Sequence, residues 1–309
     1  MPLFKQEKLN LPKTLSDKYI VPPFSVFNTH QPYFRERMRM WRDMGLCNRD
    51  GRDVHLSYDN RRMDKRAQKQ SNGTSIFNPV LCEVVYKWFT LPNSNVFDPF
   101  AGGIQRGGIA AMLGHNYLGI DINDKQVETN QTHMNVLKQL YDIKGKAVWY
   151  TGNSCNEADM CDFIDINNKC FDLVFTCPPY YNLEKYTSNE DDLSNCKNYH
   201  DFINKYKKAL VYSYNALKDD CFCVIVVSDI RNKETGEYYG FVADNIKLCQ
   251  DIGFKFYNEI ILYNDTGNLA ITSGNYLDKA RKVGRQHQNV LVFYKGNTKN
   301  IKEKFGSVI

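Results

Sequence analysis

The sequence is short of three features: long apolar runs, CxxC cysteine pairs and an excess of one charge. No stretch approaches the roughly 18 apolar residues of a membrane helix, so we expect no transmembrane segment. Ten cysteines in 309 residues are too sparse for a disulfide scaffold, and we expect reduced core thiols and no metal. The opening segment MPLFKQEKLNLPKTL lacks the order of a signal peptide, which predicts a cytoplasmic protein. The net charge of +5 is a weak indication of a polyanionic partner.

Apolar runs alternate with amphipathic segments from Asn95 onward. In the segment 198–217, for example, aromatic and leucine side chains recur at helical spacing. This alternation predicts an α/β fold with a doubly wound, mostly parallel, seven-stranded sheet. We expect residues 264–288 to form a long loop that makes the last strand antiparallel. The seven runs are NVFDPF (95–100), NYLGIDI (116–122), KAVWYTG (146–152), FDLVFTC (171–177), CFCVIVVSDI (221–230), FKFYNEIILY (254–263) and NVLVFYK (289–295).

The first part of the chain differs from the rest. It contains turn signals and two basic clusters, RERMRMWRD (35–43) and RRMDKRAQK (61–69). We therefore divide the chain into an N-terminal basic extension, residues 1–74, packed on a main domain, residues 75–309.

A glycine turn follows the first predicted strand of the main domain. The segment DPFAGG (98–103) stands between the strand-like NVF and a helical pattern. Glycines there allow a ligand close to the backbone, and the helix start offers free N–H groups. Asp121 ends the next strand, where a carboxylate can accept both hydroxyls of a ribose. The GxGxxG pattern of nicotinamide enzymes is absent from this turn. A plain strand-to-helix turn is the alternative.

A second motif, TCPPY (176–180), ends the fourth predicted strand. Two successive prolines stop the ladder and fix the backbone, which holds the neighbouring carbonyls and the tyrosine ring in place. A rigid turn with a packed tyrosine is the structural alternative.

Together the motifs resemble the amino-group DNA methyltransferases that use S-adenosylmethionine, most closely phage-associated modification methylases. DPFAGG is similar to the cofactor motif of that family, and TCPPYYNLEKY (176–186) to its catalytic motif. SIFNPVL (75–81) and HQNVLVFYKG (287–296) resemble its methionine-side motif and its closing strand. The resemblance covers residues 75–296 approximately and implies a Rossmann-like fold. It also implies that the protein acts in a bacterial or phage-infected cell.

The resemblance also implies roles for single residues. The expected cofactor-binding residues are Phe77, Asn78, Pro79, Asp98, Pro99, Phe100, Ala101, Gly102, Gly103, Asp121, Ile122, Asn153 and Ser154. The expected catalytic residues are Thr176, Cys177, Pro178, Pro179 and Tyr180. We expect Asp98→Ala and Asp121→Ala each to weaken cofactor binding in a folded protein.

The implied reaction is methylation of the exocyclic amine of a flipped DNA base. Tyr180 would stack on the base, while the Pro178 carbonyl and side chain 177 would accept hydrogen bonds from the amine. Cys177 departs from the Asp, Asn or Ser of the family, and Asn153 replaces its usual acid. Because Cys is nearly isosteric with Ser, we expect cytosine N4 slightly ahead of adenine N6. A carbon-5 cytosine methyltransferase with Cys177 as nucleophile, an RNA base methyltransferase and a non-catalytic binding module remain alternatives.

Basic residues outside the motifs are expected to contact DNA phosphates. They are Arg35, Arg37, Arg39, Arg61, Arg62, Lys65, Arg66, Lys279, Arg281, Lys282 and Arg285. Their concentration in three groups, on a chain of small net charge, favours a DNA-binding face. Asp229 and Arg231 close the fifth strand, either as a salt bridge or as part of the site. The sequence leaves a homodimer open.

Overall fold

The computed structural model describes residues 14–47, 76–164, 168–181, 190–264, 266–267 and 269–306. These residues form ten α-helices and eight strands. In chain order they are α1 (Leu15–Tyr19), β1 (Val26–Asn28), α2 (Pro32–Asp43), α3 (Pro79–Phe89), β2 (Asn95–Asp98), α4 (Gln105–Met112), β3 (Asn116–Asp121), α5 (Asp124–Leu140), β4 (Lys146–Thr151), α6 (Glu157–Phe163), β5 (Phe171–Thr176), α7 (Tyr199–Ala216), β6 (Leu217–Val227), α8 (Phe241–Ile252), β7 (Lys255–Tyr263), α9 (Leu269–Ala280), β8 (His287–Lys295) and α10 (Ile301–Phe305). None of these helices is long and apolar enough to cross a membrane.

The strands form one sheet in the order β1-β7-β8-β6-β5-β2-β3-β4. All neighbours are parallel except β8, which runs antiparallel to β6 and to β7. The predicted fold class and the antiparallel last strand are therefore confirmed. Because β8 is antiparallel, its start lies at the same edge as the carboxyl ends of β2, β3 and β5. The links after β1 and β7 reach that edge too.

Alternation of side chains along β6 explains why the sheet is covered on both faces. Phe222, Val224 and Val226 belong to a core formed with α2 to α5. Cys223 and Ile225 point the other way, into a core formed with α6 to α8. Successive side chains of a strand face opposite sides, so a strand without polar residues needs helices on both sides.

Asparagine side chains begin the helices that follow several strands. Asn78 Oδ1 accepts hydrogen bonds from the Val80 and Leu81 N–H groups, and Pro79 occupies the first turn of α3. The other helices that start on an asparagine cap are α5, α6 and α7. Such caps satisfy N–H groups that have no partner within the helix.

Two differences from the predicted topology involve segments beside the main pattern. The sheet has eight strands rather than seven, because Val26–Asn28 adds β1 beside β7. The predicted loop 264–288 contains the helix α9. The boundary at residue 74 stays a prediction, since residues 48–75 lie outside the described part of the chain.

Candidate active site

A cavity of about 640 Å³ opens at the carboxyl edge of the sheet. Its volume lies in the range of small-molecule sites, about 300–1,000 Å³. The ends of β2, β3, β4 and β5 and the start of α3 line it. Of the predicted cofactor and catalytic residues, it is lined by Phe77, Asn78, Pro79, Pro99, Phe100, Gly102, Gly103, Asp121, Ile122, Asn153, Ser154, Cys177, Pro178, Pro179 and Tyr180. Asp98, Ala101 and Thr176 are fully buried beneath it.

Asp98 joins the two sequence motifs from below. Its Oδ2 accepts hydrogen bonds from Arg106 Nε at 2.5 Å and from the Tyr117 hydroxyl at 2.8 Å. Its Oδ1 accepts from the Phe100 N–H at 3.1 Å and from Thr176 Oγ1 at 2.7 Å. A carboxylate with four donors inside a core is a structural centre, and it fixes the glycine turn against the TCPPY motif.

Arg106 keeps the glycine turn in shape. Its guanidinium donates to the carbonyls of Phe100 and Ala101 and lies 4.4 Å from the centre of the Phe77 ring. Burial lowers the pKa of Arg106, but the surrounding groups, the Asp98 carboxylate foremost among them, together raise that pKa above its ordinary value. Arg106 therefore stays charged and contacts both the glycine turn and the Phe77 ring in the cavity wall.

Asp121 faces the cavity with a carboxylate already oriented by the backbone. Its Oδ2 accepts from the Gly102 N–H at 2.7 Å, and its Oδ1 accepts from the Asn123 N–H at 2.9 Å. Gly102 has a φ of +53°, in the left-handed region that favours glycine. A carboxylate oxygen can accept more than one hydrogen bond, so both remain able to bind ribose hydroxyls.

Asn153 and Ser154 follow β4 at the same edge. The Asn153 side-chain oxygen accepts from the Cys155 N–H at 2.9 Å, and the Asn153 N–H donates to Asp159 at 2.7 Å. The Ser154 hydroxyl donates to the Pro99 carbonyl at 2.5 Å. These bonds hold the loop after β4 against the glycine turn and direct the Asn153 amide to the cavity wall.

The TCPPY motif forms the opposite wall. The Cys177 Sγ lies 3.8 Å from the Tyr180 hydroxyl, and Gln288 Nε2 donates to that hydroxyl at 3.1 Å. The edge of Phe241 packs on the Tyr180 ring at 6.3 Å between centroids. Both Cys177 and Tyr180 are half-buried.

Several lining residues have no counterpart among the predicted sites. They include Met38, Arg42 and Cys47 near α2, Asp191, Asp192 and Leu193 after the catalytic motif, and finally Leu262, Asn264 and Gln288 at the end of β7 and the start of β8. The last three could have been found, because the predicted antiparallel pair brings those ends to the catalytic edge. No short-range pattern signals the others.

The predicted DNA contacts fall into different environments. Arg37 forms an ion pair with the buried Glu83, and Arg285 pairs with Asp229 at 3.3 Å. These two side chains therefore have structural partners that the sequence did not reveal. Arg231, for its part, does not pair with Asp229 but lies 3.8 Å from the Tyr238 ring centre.

The remaining described bases lie closer to solvent. Arg35, Arg39, Lys279 and Arg281 are exposed, and Lys282 is half-buried. Arg61, Arg62, Lys65 and Arg66 lie outside the described residues.

Burial also bears on the cysteines. Cys82, Cys221, Cys223 and Cys249 are buried and free, and burial raises the pKa of each thiol. Within the described ranges no cluster of three or more His, Cys, Asp or Glu side chains could hold a metal ion.

Comparison with known proteins shows which family part of this chain resembles. Residues 171–306 match the N6/N4 methyltransferase family, described as DNA methylase. The chain is also 28% identical over 139 residues to the Type II methyltransferase M.MjaVI of Methanocaldococcus jannaschii, covering 45% of this chain and 69% of that relative. Residues 171–306 therefore resemble the N6/N4 DNA methylase family.

Solved structures resemble parts of this fold. A SAM-dependent methyltransferase of Methanosarcina mazei is 12% identical with a TM-score of 0.44, covering 67% of this chain and 95% of its own. Magnesium protoporphyrin IX methyltransferase from Synechocystis, with bound SAM, is 13% identical with a TM-score of 0.45, covering 76% and 86%. The resemblance to DNA methylases depends on the sequence matches and not on these partial likenesses.

The cavity fits S-adenosylmethionine, the methyl donor that the sequence motifs imply. Asp121 offers carboxylate oxygens of the kind that bind a ribose, while Asn153 offers an amide for the adenine edge. Phe77, Ile122 and Leu81 supply apolar walls. When bound, the cofactor supplies a methyl group on a positively charged sulfur.

Proposed function

We propose that this protein is a DNA methyltransferase that methylates the exocyclic amino group of a base flipped out of the duplex, with cytosine N4 preferred over adenine N6. The observation that carries the proposal is the 2.7 Å hydrogen bond from Thr176 Oγ1 to Asp98 Oδ1. It ties the TCPPY motif to the glycine turn, so the predicted methyl donor site and the predicted base site share one cavity.

The residues of the motif match what the chemistry needs. The lone pair of an exocyclic amine is conjugated with the ring, so the amine is a poor nucleophile. A hydrogen bond from the amine to the Pro178 carbonyl would turn the lone pair toward the methyl group. Bound S-adenosylmethionine would supply the methyl group to this nitrogen, and its sulfur would keep the electron pair of the bond that breaks. The amine then loses one proton, for which Asp191 and Asp192 line the cavity as carboxylate acceptors.

The preference for cytosine depends on residue 177. A thiol is a weak hydrogen-bond acceptor, so the grip on the amine depends mainly on the Pro178 carbonyl. Cys177 is closer in size to the Ser of the cytosine branch than to Asp. Its sulfur also lies within reach of the Tyr180 hydroxyl, which keeps it beside the ring proposed to stack on the base.

Two basic groups support DNA as the substrate. Arg35 and Arg39 lie on α2, which follows β1, and Lys279 and Arg281 lie at the end of α9, which follows β7. Both links leave the sheet at the edge that holds the cavity. Phosphate contacts from both sides would position a duplex over the opening.

The direct test is transfer of labelled methyl groups from S-adenosylmethionine. Unmethylated duplex DNA, made by amplification, and an RNA transcript of the same sequence are offered separately. We expect label in DNA and none in RNA. Label only in RNA would favour an RNA base methyltransferase, and cofactor binding without any label would favour a non-catalytic module.

The matched control variants are Asp121→Ala and Asp124→Ala. Asp121 faces the cavity, whereas Asp124 is exposed at the start of α5. Transfer should fall in the first variant and persist in the second. Equal activity in both would contradict the assignment of the cavity.

A further inference from the structure

Three polar side chains form a chain of hydrogen bonds across the mouth of the cavity. Gln288, at the start of β8, donates from Nε2 to the Tyr180 hydroxyl at 3.1 Å. That hydroxyl lies 3.8 Å from the Cys177 Sγ. All three residues line the cavity, yet Gln288 belongs to neither of the motifs that define the site.

The donor and acceptor properties of these side chains give the chain of hydrogen bonds a direction. The amide nitrogen of Gln288 can only donate, so the phenol oxygen of Tyr180 accepts there. A phenol can donate while it accepts, which leaves its hydrogen for the Cys177 sulfur. Asn264 Nδ2 approaches the Gln288 side-chain oxygen at 3.5 Å, which is consistent with this orientation of the amide.

The anchor of this chain is rigid. β8 lies between β6 and β7, and Val290 to Tyr294, which begin two residues after Gln288, are completely buried. A bond from β8 therefore fixes the Tyr180 ring relative to the sheet. The edge of Phe241 restricts the same ring by packing but does not orient its hydroxyl.

We infer that Gln288 is a positioning residue that holds the Tyr180 ring, and through its hydroxyl the Cys177 sulfur, in place for the incoming base. The inference rests on the proposed function, in which these two residues handle the base. Gln288 itself acts only through Tyr180. Its contribution should therefore vanish when the Tyr180 hydroxyl is removed.

A double-mutant cycle tests this on the full chain. The proteins are wild type, Gln288→Met, Tyr180→Phe and the double variant, assayed for methyl transfer to amplified unmethylated DNA at saturating cofactor. Gln288→Met keeps the length of the side chain and removes the donor. One neutral hydrogen bond corresponds to about a fivefold change in rate, so we expect a fall of that size in kcat. In the Tyr180→Phe background the same substitution should change kcat little.

Two outcomes of the cycle would overturn the inference. One is an equal fall in kcat in both backgrounds, which would mean that Gln288 acts independently of Tyr180. The other is an unchanged kcat in Gln288→Met. Gln288→Glu guards against a folding failure of the first variant: its carboxylate should take the phenol hydrogen away from the sulfur and also lower kcat.

A second readout does not need catalysis. Iodoacetamide alkylation of Cys177 is followed by peptide mass spectrometry, with the exposed Cys161 as internal reference. A donor to the sulfur favours its thiolate, so Gln288→Met and Tyr180→Phe should both slow alkylation at Cys177 and leave Cys161 unchanged. An unchanged Cys177 rate would overturn the inference. A slowed rate in a protein that transfers no methyl group would uphold the hydrogen-bond chain and refute only the proposed function.

Discussion

Asp98 and Asp121 end neighbouring strands, yet the structure gives their carboxylates different tasks. Asp121 lines the cavity, with its oxygens directed by two backbone N–H groups. Asp98 is fully buried and neutralises Arg106. We therefore expect binding of the cofactor to depend directly on the first and indirectly on the second.

Asp121→Ala should weaken binding of S-adenosylmethionine in a folded protein. Hydrogen bonds to a charged group are worth about 1.5–3 kcal/mol, so we expect the dissociation constant to rise about 10- to 100-fold. Calorimetry measures it, with Asp124→Ala as the control of equal charge. An unchanged affinity in Asp121→Ala would contradict the assigned ribose site.

Asp98→Ala should lose stability as well as cofactor binding, contrary to the expectation from sequence alone. It would leave Arg106 charged in the core, and an uncompensated buried charge costs about 3–5 kcal/mol. We expect a loss of stability of that order, measured as the shift of the urea midpoint. A variant with the wild-type midpoint would show that Arg106 finds another partner.

Cys177→Ser separates the amino-group mechanism from the carbon-5 mechanism. If residue 177 only helps to hold an amine, the serine hydroxyl is the better hydrogen-bonding group, and activity should persist or rise. If Cys177 attacks the base ring, the substitution should abolish turnover, because a hydroxyl is far less ionised than a thiol. The rate of methyl transfer decides between them, with retained cofactor binding as the control for folding.

At the scale of elements, α2 is attached to α3 by a buried carboxylate. Glu83 on α3 is 4% exposed and accepts from Trp41 Nε1 at 2.8 Å as well as from Arg37. Met38 and Arg42 of the same α2 line the cavity. This contact therefore helps to place part of the cavity wall.

Arg37→Ala should destabilise the protein, whereas Arg39→Ala should not. Arg37 is partly exposed, so we expect the free energy of unfolding to fall by about 1–2 kcal/mol. Arg39 is an exposed neighbour on the same helix, and its loss should cost less than about 0.5 kcal/mol. Urea unfolding measures both. Equal shifts of the two urea midpoints would show that Arg37 does not stabilise the packing of α2.

The elements also show which parts of the fold sequence can predict. β2 to β8 each overlap a predicted apolar run. The central strands do so because strands buried on both faces exclude polar residues over several positions. β1 has only three residues and pairs with β7, more than 230 positions away, so no local pattern could reveal it. The α9 helix buries none of its residues, which left no apolar stripe to mark it.

The site was predictable to the extent that it follows strand ends. Gly102, Asp121, Asn153 and Cys177 each stand at or just after the end of a predicted strand, and the topology of a parallel sheet brings such positions together. The pairing of Asp98 with Arg106 and of Gln288 with Tyr180 depends on tertiary packing. Neither pairing has a sequence period from which it could be inferred.

Across the molecule as a whole, basic side chains of α2 and of the end of α9 belong to segments that follow the cavity edge of the sheet. The exposed Lys144 and Lys247 lie away from it, before β4 and within α8. The proposed DNA contact distinguishes these positions, which the net charge of +5 does not. It predicts that binding of DNA depends on where a charge lies and not only on its sign.

The double variant Lys279→Ala/Arg281→Ala should reduce the salt dependence of DNA binding. Removing one phosphate-binding cation lowers the slope of log affinity against log salt by about 0.9, and removing two lowers it by about 1.8. Lys144→Ala/Lys247→Ala removes the same charge elsewhere and should leave the slope unchanged. Fluorescence anisotropy over a salt series gives both slopes. Identical slopes in the two variants would mean that the end of α9 does not contact DNA.

The identity of the methylated base is the most direct test of methylation at an exocyclic amine. Amplified DNA is incubated with the wild-type protein and S-adenosylmethionine, digested to nucleosides and analysed by mass spectrometry against methylated standards. We predict N4-methylcytosine. N6-methyladenine would correct the preferred base within the same mechanism. 5-Methylcytosine, or no methylated nucleoside from a protein that binds the cofactor, would contradict methylation of an exocyclic amine at the TCPPY motif.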